Sequence, residues 1–254
     1  MRVVLLPGSV LPADLAYAGL VAALGADVET IVKDLEVYRD ASPPPNYSLD
    51  TEVQGVLRDT DARAWDEFHL VGYSGGGSAA LAVAASHPRR LRSLSLLEPA
   101  WCGDWGWSPE HRKLWAMYGD IENLPPEQFT PAFMRLQVRP GVEPPRPPPG
   151  PPPPWMERRP AGIRAFLRTF RSYDLNRDAL SSFTRPVYFA LGGLSNPDQF
   201  GEEAERLAKV FPDFTLEVFE QRHHFDPPHR VEPERLAASL RTVWLRGEQS
   251  APAG

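Results

Sequence analysis

The stretch EFHLVGYSGGGSAAL at 67–81 constrains this chain more than any other part of the sequence. Its apolar half, FHLVGYS, predicts a strand over 68–74 that is buried on both faces. The small residues that follow predict a helix that begins directly after Ser74. Gly72 and Gly76 lie two positions before and after this serine, where a tight strand-to-helix turn needs small neighbours. The pattern therefore predicts a serine hydroxyl raised above the carboxyl end of a sheet, where open α/β folds bind ligands.

Strands and helices alternate on both sides of this turn. Short apolar runs predict further strands at 2–6, 28–33, 91–98, 185–193 and 215–220, and periodic segments predict helices at 12–25, 48–64, 75–88, 201–211 and 232–245. Alternation with strands that are apolar on both faces predicts an α/β fold, a mostly parallel sheet flanked by helices. We assign residues 1–100 and 183–248 to this core.

Residues 101–182 interrupt the alternation, because they contain no convincing strand. Within them, 140–160 holds 11 of the 29 prolines, which favours polyproline II structure in a surface linker or in a strap. Five of the seven tryptophans also lie in this insertion, and large aromatic side chains need burial or a ligand. We therefore predict a helical, Pro/Trp-rich cap over the sheet, with the polyproline segment as a strap. A frayed tail is expected over 249–254.

Composition narrows the classes of partner. The net charge of −6 and the absence of a long basic block argue against nucleic acid or an anionic membrane. Cys102 is the only cysteine, which rules out an intramolecular disulfide and fits a reducing compartment. No run of 18 apolar residues and no signal-peptide pattern occurs. We therefore expect a cytoplasmic protein that acts on a small molecule, with a homodimer as one candidate assembly.

A serine hydroxyl is a poor nucleophile until a base accepts its proton. The segment TLEVFEQRHHFDPPHR supplies a base after the last strand, and we favour His224 over the preceding histidine. Two alternatives stay open. Ser74 could instead cap a helix or bind phosphate in a Gly-rich turn. A metal cluster, which would lack a second group of ligands, could be formed by His223, His224, Asp226 and His229.

Two carboxylates are candidates for the group that orients the imidazole and supports its cation. Glu98 ends a strand at the same edge as Ser74, and an acid between an apolar strand and Pro99 is costly unless it is paired. Asp198 is the alternative, since an acid commonly follows the strand at 186–192 in a fold of this order. We favour Glu98, because Asp198 is displaced from the expected position.

The oxyanion should be held by two backbone N–H groups. One belongs to Gly75, and the other belongs to Ser9 or its neighbour Val10 in the exit loop of the first strand, where Gly8 allows a close backbone approach. We assign three aromatic residues to a mostly apolar substrate pocket: Tyr73, Trp101 and Trp105. For Tyr73, a role in packing alone is the alternative.

With these residues the chain resembles the α/β-hydrolase superfamily over most of its length outside the insertion. The likeness is carried by LLPG at 5–8, LVGYSGGG at 70–77, PVYFALGG at 186–193 and HHFDPPHRVEPERL at 223–236. The resemblance implies a serine nucleophile, a histidine base, a cap between two strands, and a fold that lacks the leading hairpin. Haloalkane-dehalogenase-like members place their acid where Glu98 lies but use an aspartate nucleophile. Ser74 therefore argues against dehalogenation and against epoxide hydrolysis.

The sequence thus predicts a carboxylesterase-like serine hydrolase that needs no cofactor and no metal. It would cleave an ester or a related acyl bond of a small, hydrophobic or aromatic substrate. One alternative is a cofactor-free lyase, or another non-hydrolytic enzyme of this fold, in which the serine and histidine move protons. Another is a catalytically silent small-molecule binding protein, against which the presence of both Ser74 and His224 argues.

Overall fold

A computed structural model of the chain describes residues 1–146 and 150–249. Six strands form one sheet: β1 Arg2–Leu6, β2 Glu29–Val32, β3 Phe68–Ser74, β4 Leu91–Pro99, β5 Val187–Gly192 and β6 Phe214–Phe219. The α-helices of the described residues are α1 Ala13–Leu24, α2 Leu49–Asp61, α3 Gly75–Ser86, α4 Pro109–Ile121, α5 Pro126–Leu136, α6 Arg159–Phe170, α7 Arg177–Ser181, α8 Glu202–Val210, α9 Pro228–Val231 and α10 Pro233–Gln249. Of the predicted polyproline segment and tail, 147–149 and 250–254 lie outside the described residues.

The strands follow the order β2-β1-β3-β4-β5-β6, and each neighbouring pair is parallel. Side chains of β1 alternate between two buried layers: Val4 and Leu6 pack on the face covered by α2 and α3, and Val3 and Leu5 on the face covered by α1 and α10. Because both faces are buried at the centre of the sheet, β1 and β5 are apolar at consecutive positions. The predicted α/β fold with a mostly parallel, helix-flanked sheet is confirmed.

The predicted elements agree with the observed ones to within a few residues. Helix α2 begins after Ser48, whose side chain accepts a hydrogen bond from the Asp50 backbone N–H at 3.2 Å. Thr51 Oγ1 accepts a hydrogen bond from the Ser48 backbone N–H, so a threonine hydroxyl completes the capping box.

The insertion between β4 and β5 is helical, as predicted, and contains α4 to α7. Helices α4, α5 and α6 enclose a separate apolar cluster of Leu114, Tyr118, Phe129, Phe133, Ile163 and Leu167. After α5 the chain makes an isolated antiparallel bridge between Val138 and Ser195, which ties the insertion to the loop that follows β5. Across 1–146 and 150–249, the structure contains no helix of the length and apolarity needed to cross a membrane.

Candidate active site

The turn between β3 and α3 holds Ser74 in a backbone conformation that residues other than glycine rarely adopt, with φ 53° and ψ −121°. A Cβ at Gly72 would lie 2.3 Å from the carbonyl oxygen of Gly76, and one at Gly76 would lie 2.4 Å from that of Pro7. The two glycines are therefore required by close backbone contacts, as their spacing predicts. The turn places the Ser74 side chain at the carboxyl edge of the sheet and at the N-terminus of α3.

Glu98 is aimed at this edge by an irregularity in β4. Tyr73 pairs with Leu97 and Ser74 pairs with Pro99, so Glu98 is the extra residue of a bulge in the ladder. Its φ of 46° turns the side chain out of the strand's alternation. Glu98 is 4% exposed, and its Oε1 accepts a hydrogen bond of 2.7 Å from the Gly192 backbone N–H at the end of β5.

His224 lies between the serine and the acid, in the loop after β6. Its Nδ1 is 3.0 Å from Glu98 Oε2, and its Nε2 is 2.9 Å from Ser74 Oγ. A carboxylate only accepts hydrogen bonds, so Nδ1 carries the proton and Nε2 is free to accept the serine proton. The Phe200 ring stacks on the imidazole at 4.3 Å, and the Tyr73 hydroxyl donates to the His224 carbonyl oxygen. The histidine is thus fixed in one orientation.

The exit loop of β1 lies beside this turn. A Cβ at Gly75 would be 2.7 Å from Ser9 Oγ, and one at Gly8 would be 3.1 Å from Ser74 Cβ. The Ser9 carbonyl oxygen accepts a hydrogen bond of 2.8 Å from the Tyr38 hydroxyl, which holds the loop in place. The two backbone segments expected to bind an oxyanion therefore meet at Ser74.

A cavity of about 20 Å³ opens over the serine, room for about one water molecule. Helices α4, α5 and α6 of the insertion form most of its wall. The lining is largely aromatic and aliphatic, with a few polar groups, and consists of Ser9, Ser74, Ala100, Trp115, Tyr118, Phe133, Gln137, Ile163, Phe166, Leu167, Phe170 and Gln199.

The structure does not bring the three predicted pocket aromatics to this cavity. Tyr73 lies beneath the histidine loop, with its ring 5.0 Å from that of His224. Trp101 is 2% exposed and stacks on Phe170 with ring centroids 5.3 Å apart, in the core below the cavity. Trp105 is half-buried beside Gly103 and offers its carbonyl oxygen to Arg206. Insertion aromatics do line the cavity, but they come from helices rather than from the 101–107 loop.

The alternative acid and the alternative metal ligands have other surroundings. Asp198 is exposed, and its backbone carbonyl oxygen contacts the His111 ring. Asp226 pairs with Arg222 at 2.7 Å, and His229 is buried between the rings of Tyr17 and Tyr73. Within 1–146 and 150–249, no group of three or more His, Cys, Asp or Glu residues is arranged to hold a metal ion. Of the two candidate carboxylates, Glu98 is the one in hydrogen-bond contact with His224.

Three contacts of the site were not predicted from the sequence. Gly192 donates its backbone N–H to the acid, Phe200 stacks on the base, and Gln199 bonds the Ala100 carbonyl oxygen at 2.9 Å beside the serine. The Gly-Gly pair that ends the strand PVYFALGG was a usable signal for the first of these, because glycine permits close approach. Nothing local marks Phe200 or Gln199, whose contacts are made across the fold.

A larger hollow, of about 420 Å³, lies at the carboxyl end of β2. Four of its charged side chains are paired with one another: Lys33 bonds Glu36 and lies 3.3 Å from Asp59, and Arg58 donates to Glu36 at 2.7 Å. These pairs form a structural ion network, and the nucleophile–base arrangement lies at the smaller cavity. We therefore place the candidate active site at Ser74.

Two buried titratable groups, Glu203 and His229, lie near Glu98 and His224. Glu203 in α8 is fully buried, and neither of its carboxylate oxygens has a hydrogen-bond partner among the described residues. Burial, followed by the nearby charge of Glu98, raises the pKa of Glu203 well above its usual value. Burial, followed by the charge of Arg230, lowers the pKa of His229 to about 3. The His229 side chain is therefore uncharged at neutral pH, and the surroundings of Glu203 favour its protonated form.

The chain matches a known protein family and is similar in part to two known hydrolases. Residues 3–239 match the family described as "Alpha/beta hydrolase family". Over 68 residues the chain is 38% identical to a Caulobacter segnis protein that carries the provisional name carbamate hydrolase RutD. Over 116 residues it is 29% identical to the 2-hydroxymuconate semialdehyde hydrolase of Pseudomonas sp. strain CF600. These matches cover 27% and 41% of this chain, and only 23% and 41% of the two relatives.

Among solved structures, the chain is similar to a thermophilic esterase from Thermogutta terrifontis. The TM-score is 0.69 at 20% sequence identity, with 97% of this chain and 89% of the esterase covered. At this identity the likeness concerns the fold alone.

Proposed function

Because this chain belongs to the alpha/beta hydrolase family, we propose that it is a serine hydrolase that cleaves an ester or a related acyl bond through Ser74, His224 and Glu98. The observation that carries the proposal is the unbroken line of hydrogen bonds from Ser74 Oγ through the imidazole to the carboxylate, at 2.9 and 3.0 Å. A nucleophile, a base and an orienting acid are the parts that such a reaction requires.

In the first step Ser74 Oγ attacks the substrate carbonyl carbon while His224 Nε2 accepts the hydroxyl proton. Glu98 holds the Nδ1 proton and stabilises the imidazolium that forms. The negative charge that develops on the carbonyl oxygen is held by the backbone N–H groups of Gly75 and of the Ser9 loop. His224 then donates its proton to the leaving oxygen, which leaves an acyl group on Ser74.

Water completes the cycle. His224 Nε2 accepts a proton from the water, whose oxygen attacks the acyl carbonyl carbon, and the carboxylic acid is released as Ser74 regains its hydrogen. The proton transfers balance with these groups and water alone. The strained turn at Ser74 costs stability but holds Oγ in the orientation for attack before substrate binds.

The walls of the cavity indicate the class of substrate. Five aromatic rings line it, from Trp115, Tyr118, Phe133, Phe166 and Phe170. Such walls favour an apolar or aromatic acyl or alcohol group. The cavity has room for about one water molecule, so a substrate must displace part of the insertion. We propose that the insertion, residues 101–182, acts as a cap that opens and closes over Ser74.

The names of the similar proteins support hydrolysis but differ in substrate, so a panel of substrates is needed. We would measure hydrolysis of 4-nitrophenyl esters of acetic, butyric, benzoic and 3-phenylpropanoic acids. We expect wild-type turnover, with the aromatic acyl groups preferred. Ser74→Ala and His224→Ala should lower kcat by roughly 10⁴-fold or more, because each removes a reacting group.

The matched control is Ser86→Ala, an exposed serine at the other end of α3. It should leave kcat and KM unchanged. Circular dichroism checks that each variant is folded. Hydrolysis retained by folded Ser74→Ala would contradict the proposal. Turnover of a substrate by wild type without an acyl intermediate would instead favour a lyase, and tight ligand binding without turnover would favour a binding protein.

A further inference from the structure

Gln137, at the carboxyl end of α5, is a buried amide in the wall of the cavity that contains Ser74. Its backbone is tied to the loop after β5. The Gln137 carbonyl oxygen accepts from Asn196 N at 3.1 Å, the Asn196 side chain donates to the Leu136 carbonyl oxygen at 2.6 Å, and Arg139 N donates to the Leu194 carbonyl oxygen at 2.9 Å. The residue is therefore placed by the core of the protein as well as by the insertion.

The side chain of Gln137 has one amide end engaged. Its Nε2 donates to the Phe133 carbonyl oxygen at 3.3 Å, which sets the orientation of the amide. Within 1–146 and 150–249 its Oε1 accepts no hydrogen bond, and the residue, which is 2% exposed, lines the cavity. The Gln137 side chain thus presents an acceptor in a wall that is mostly apolar.

The second amide of the cavity, Gln199, has both ends satisfied. Its Oε1 accepts from the Tyr118 hydroxyl at 2.7 Å, and its Nε2 donates to the Ala100 carbonyl oxygen at 2.9 Å. Gln199 therefore braces the wall. The Gln137 acceptor, in contrast, is free, and a hydrogen-bond donor on a ligand in the cavity would give it a partner.

We propose that Gln137 is a specificity-determining residue, whose Oε1 accepts a hydrogen bond from an O–H or N–H donor on an aromatic substrate. The inference rests on the proposed function, since it takes the Ser74 cavity as the substrate site. Aromatic walls hold the ring, and the Gln137 acceptor distinguishes a hydroxylated or aminated ring from an unsubstituted one. Sites built to bond a polar group discriminate strongly against analogues that lack it, because the protein group is then left unpaired.

The test measures binding without turnover. In the Ser74→Ala background, isothermal titration calorimetry compares methyl 3-phenylpropanoate with its 2-, 3- and 4-hydroxyphenyl analogues. We expect one hydroxylated ester to bind at least about tenfold more tightly than the unsubstituted ester. When Gln137→Leu is added to Ser74→Ala, the preference for the hydroxylated ester should disappear or be reversed. Gln137→Met, which keeps the length of the side chain, should do the same and covers the case in which Gln137→Leu does not fold.

The matched control is Gln128→Leu, the same substitution at an exposed position of α5. It should leave the ratio unchanged. If Ser74→Ala and Ser74→Ala/Gln137→Leu showed the same ratio of affinities for the hydroxylated and unsubstituted esters, the proposal would be overturned. It would also be overturned if none of the esters bound. The binding difference is measured in Ser74→Ala, which cannot form an acyl enzyme. It is therefore observable even if the wild type hydrolyses no ester. The two proposals therefore fail separately.

Discussion

Replacing Glu98 by Gln alters the candidate triad with almost no change of volume. In the structure one carboxylate oxygen accepts from the Gly192 N–H at 2.7 Å and the other from His224 Nδ1 at 3.0 Å. A glutamine has one acceptor oxygen for these two donors. If that oxygen stays on Gly192, the amide NH₂ faces Nδ1 and forces the imidazole into the tautomer that carries its proton on Nε2.

That tautomer cannot accept the Ser74 proton, and the imidazolium would also lose its counter-charge. The equivalent loss of an acid in a triad of known mechanism costs about 10⁴ in kcat with the geometry intact, so we expect roughly 10³- to 10⁴-fold here. KM should change little, because Glu98 is 4% exposed and does not line the cavity.

The assay is steady-state hydrolysis of 4-nitrophenyl 3-phenylpropanoate by Glu98→Gln, with Asp198→Asn as the matched acid-to-amide control. Asp198 is exposed and should keep kcat within about twofold, in line with surface substitutions away from a site. The reasoning is refuted if Glu98→Gln retains more than about a tenth of wild-type kcat while Asp198→Asn loses activity.

Two further predictions concern stability. Gly72→Ala should lower the free energy of unfolding by about 1–3 kcal/mol or more in chemical denaturation, because the new Cβ would lie 2.3 Å from a backbone oxygen. Gly119→Ala, where the nearest atom is 3.6 Å away, should not, and equal losses would contradict the packing argument. Folding raises the pKa of Glu203, so above pH 4.5 the unfolded state binds fewer protons than the folded state. The free energy of unfolding therefore falls as the pH rises. Glu203→Gln should therefore raise Tm at pH 8 but not at pH 4.5, whereas Glu205→Gln, exposed on the same helix, should raise it at neither.

The turn at Ser74 could be predicted from the sequence because its causes are local. A strand that is buried on both faces, glycines two positions from the serine and a run of small residues all lie within 68–86. Likewise, His224 could be predicted, because chain order alone places it after the last strand at the same edge as the serine. The choice of Glu98 over Asp198 depended on the cost of an unpaired acid at the end of a buried strand, and the hydrogen bond to His224 agrees with it.

The rest of the site depends on contacts that sequence patterns do not encode. The bulge that aims Glu98 is a mismatch between β3 and β4, strands about 20 residues apart in the chain, and it shows only when they are paired. The cavity wall is assembled from three helices of the insertion, so the abundance of tryptophan predicted aromatic walls but not which rings form them. Trp101 packs in the core, and Trp115 reaches the cavity instead.

The central claim is that Ser74 is an activated nucleophile, and intact-mass labelling with a small fluorophosphonate tests it most directly. The probe reacts with an activated serine whatever the natural substrate is. We predict a single adduct on wild type, none on Ser74→Ala, and much slower labelling of Glu98→Gln. An unlabelled but folded wild-type protein, or an adduct that persists in Ser74→Ala, would contradict the account.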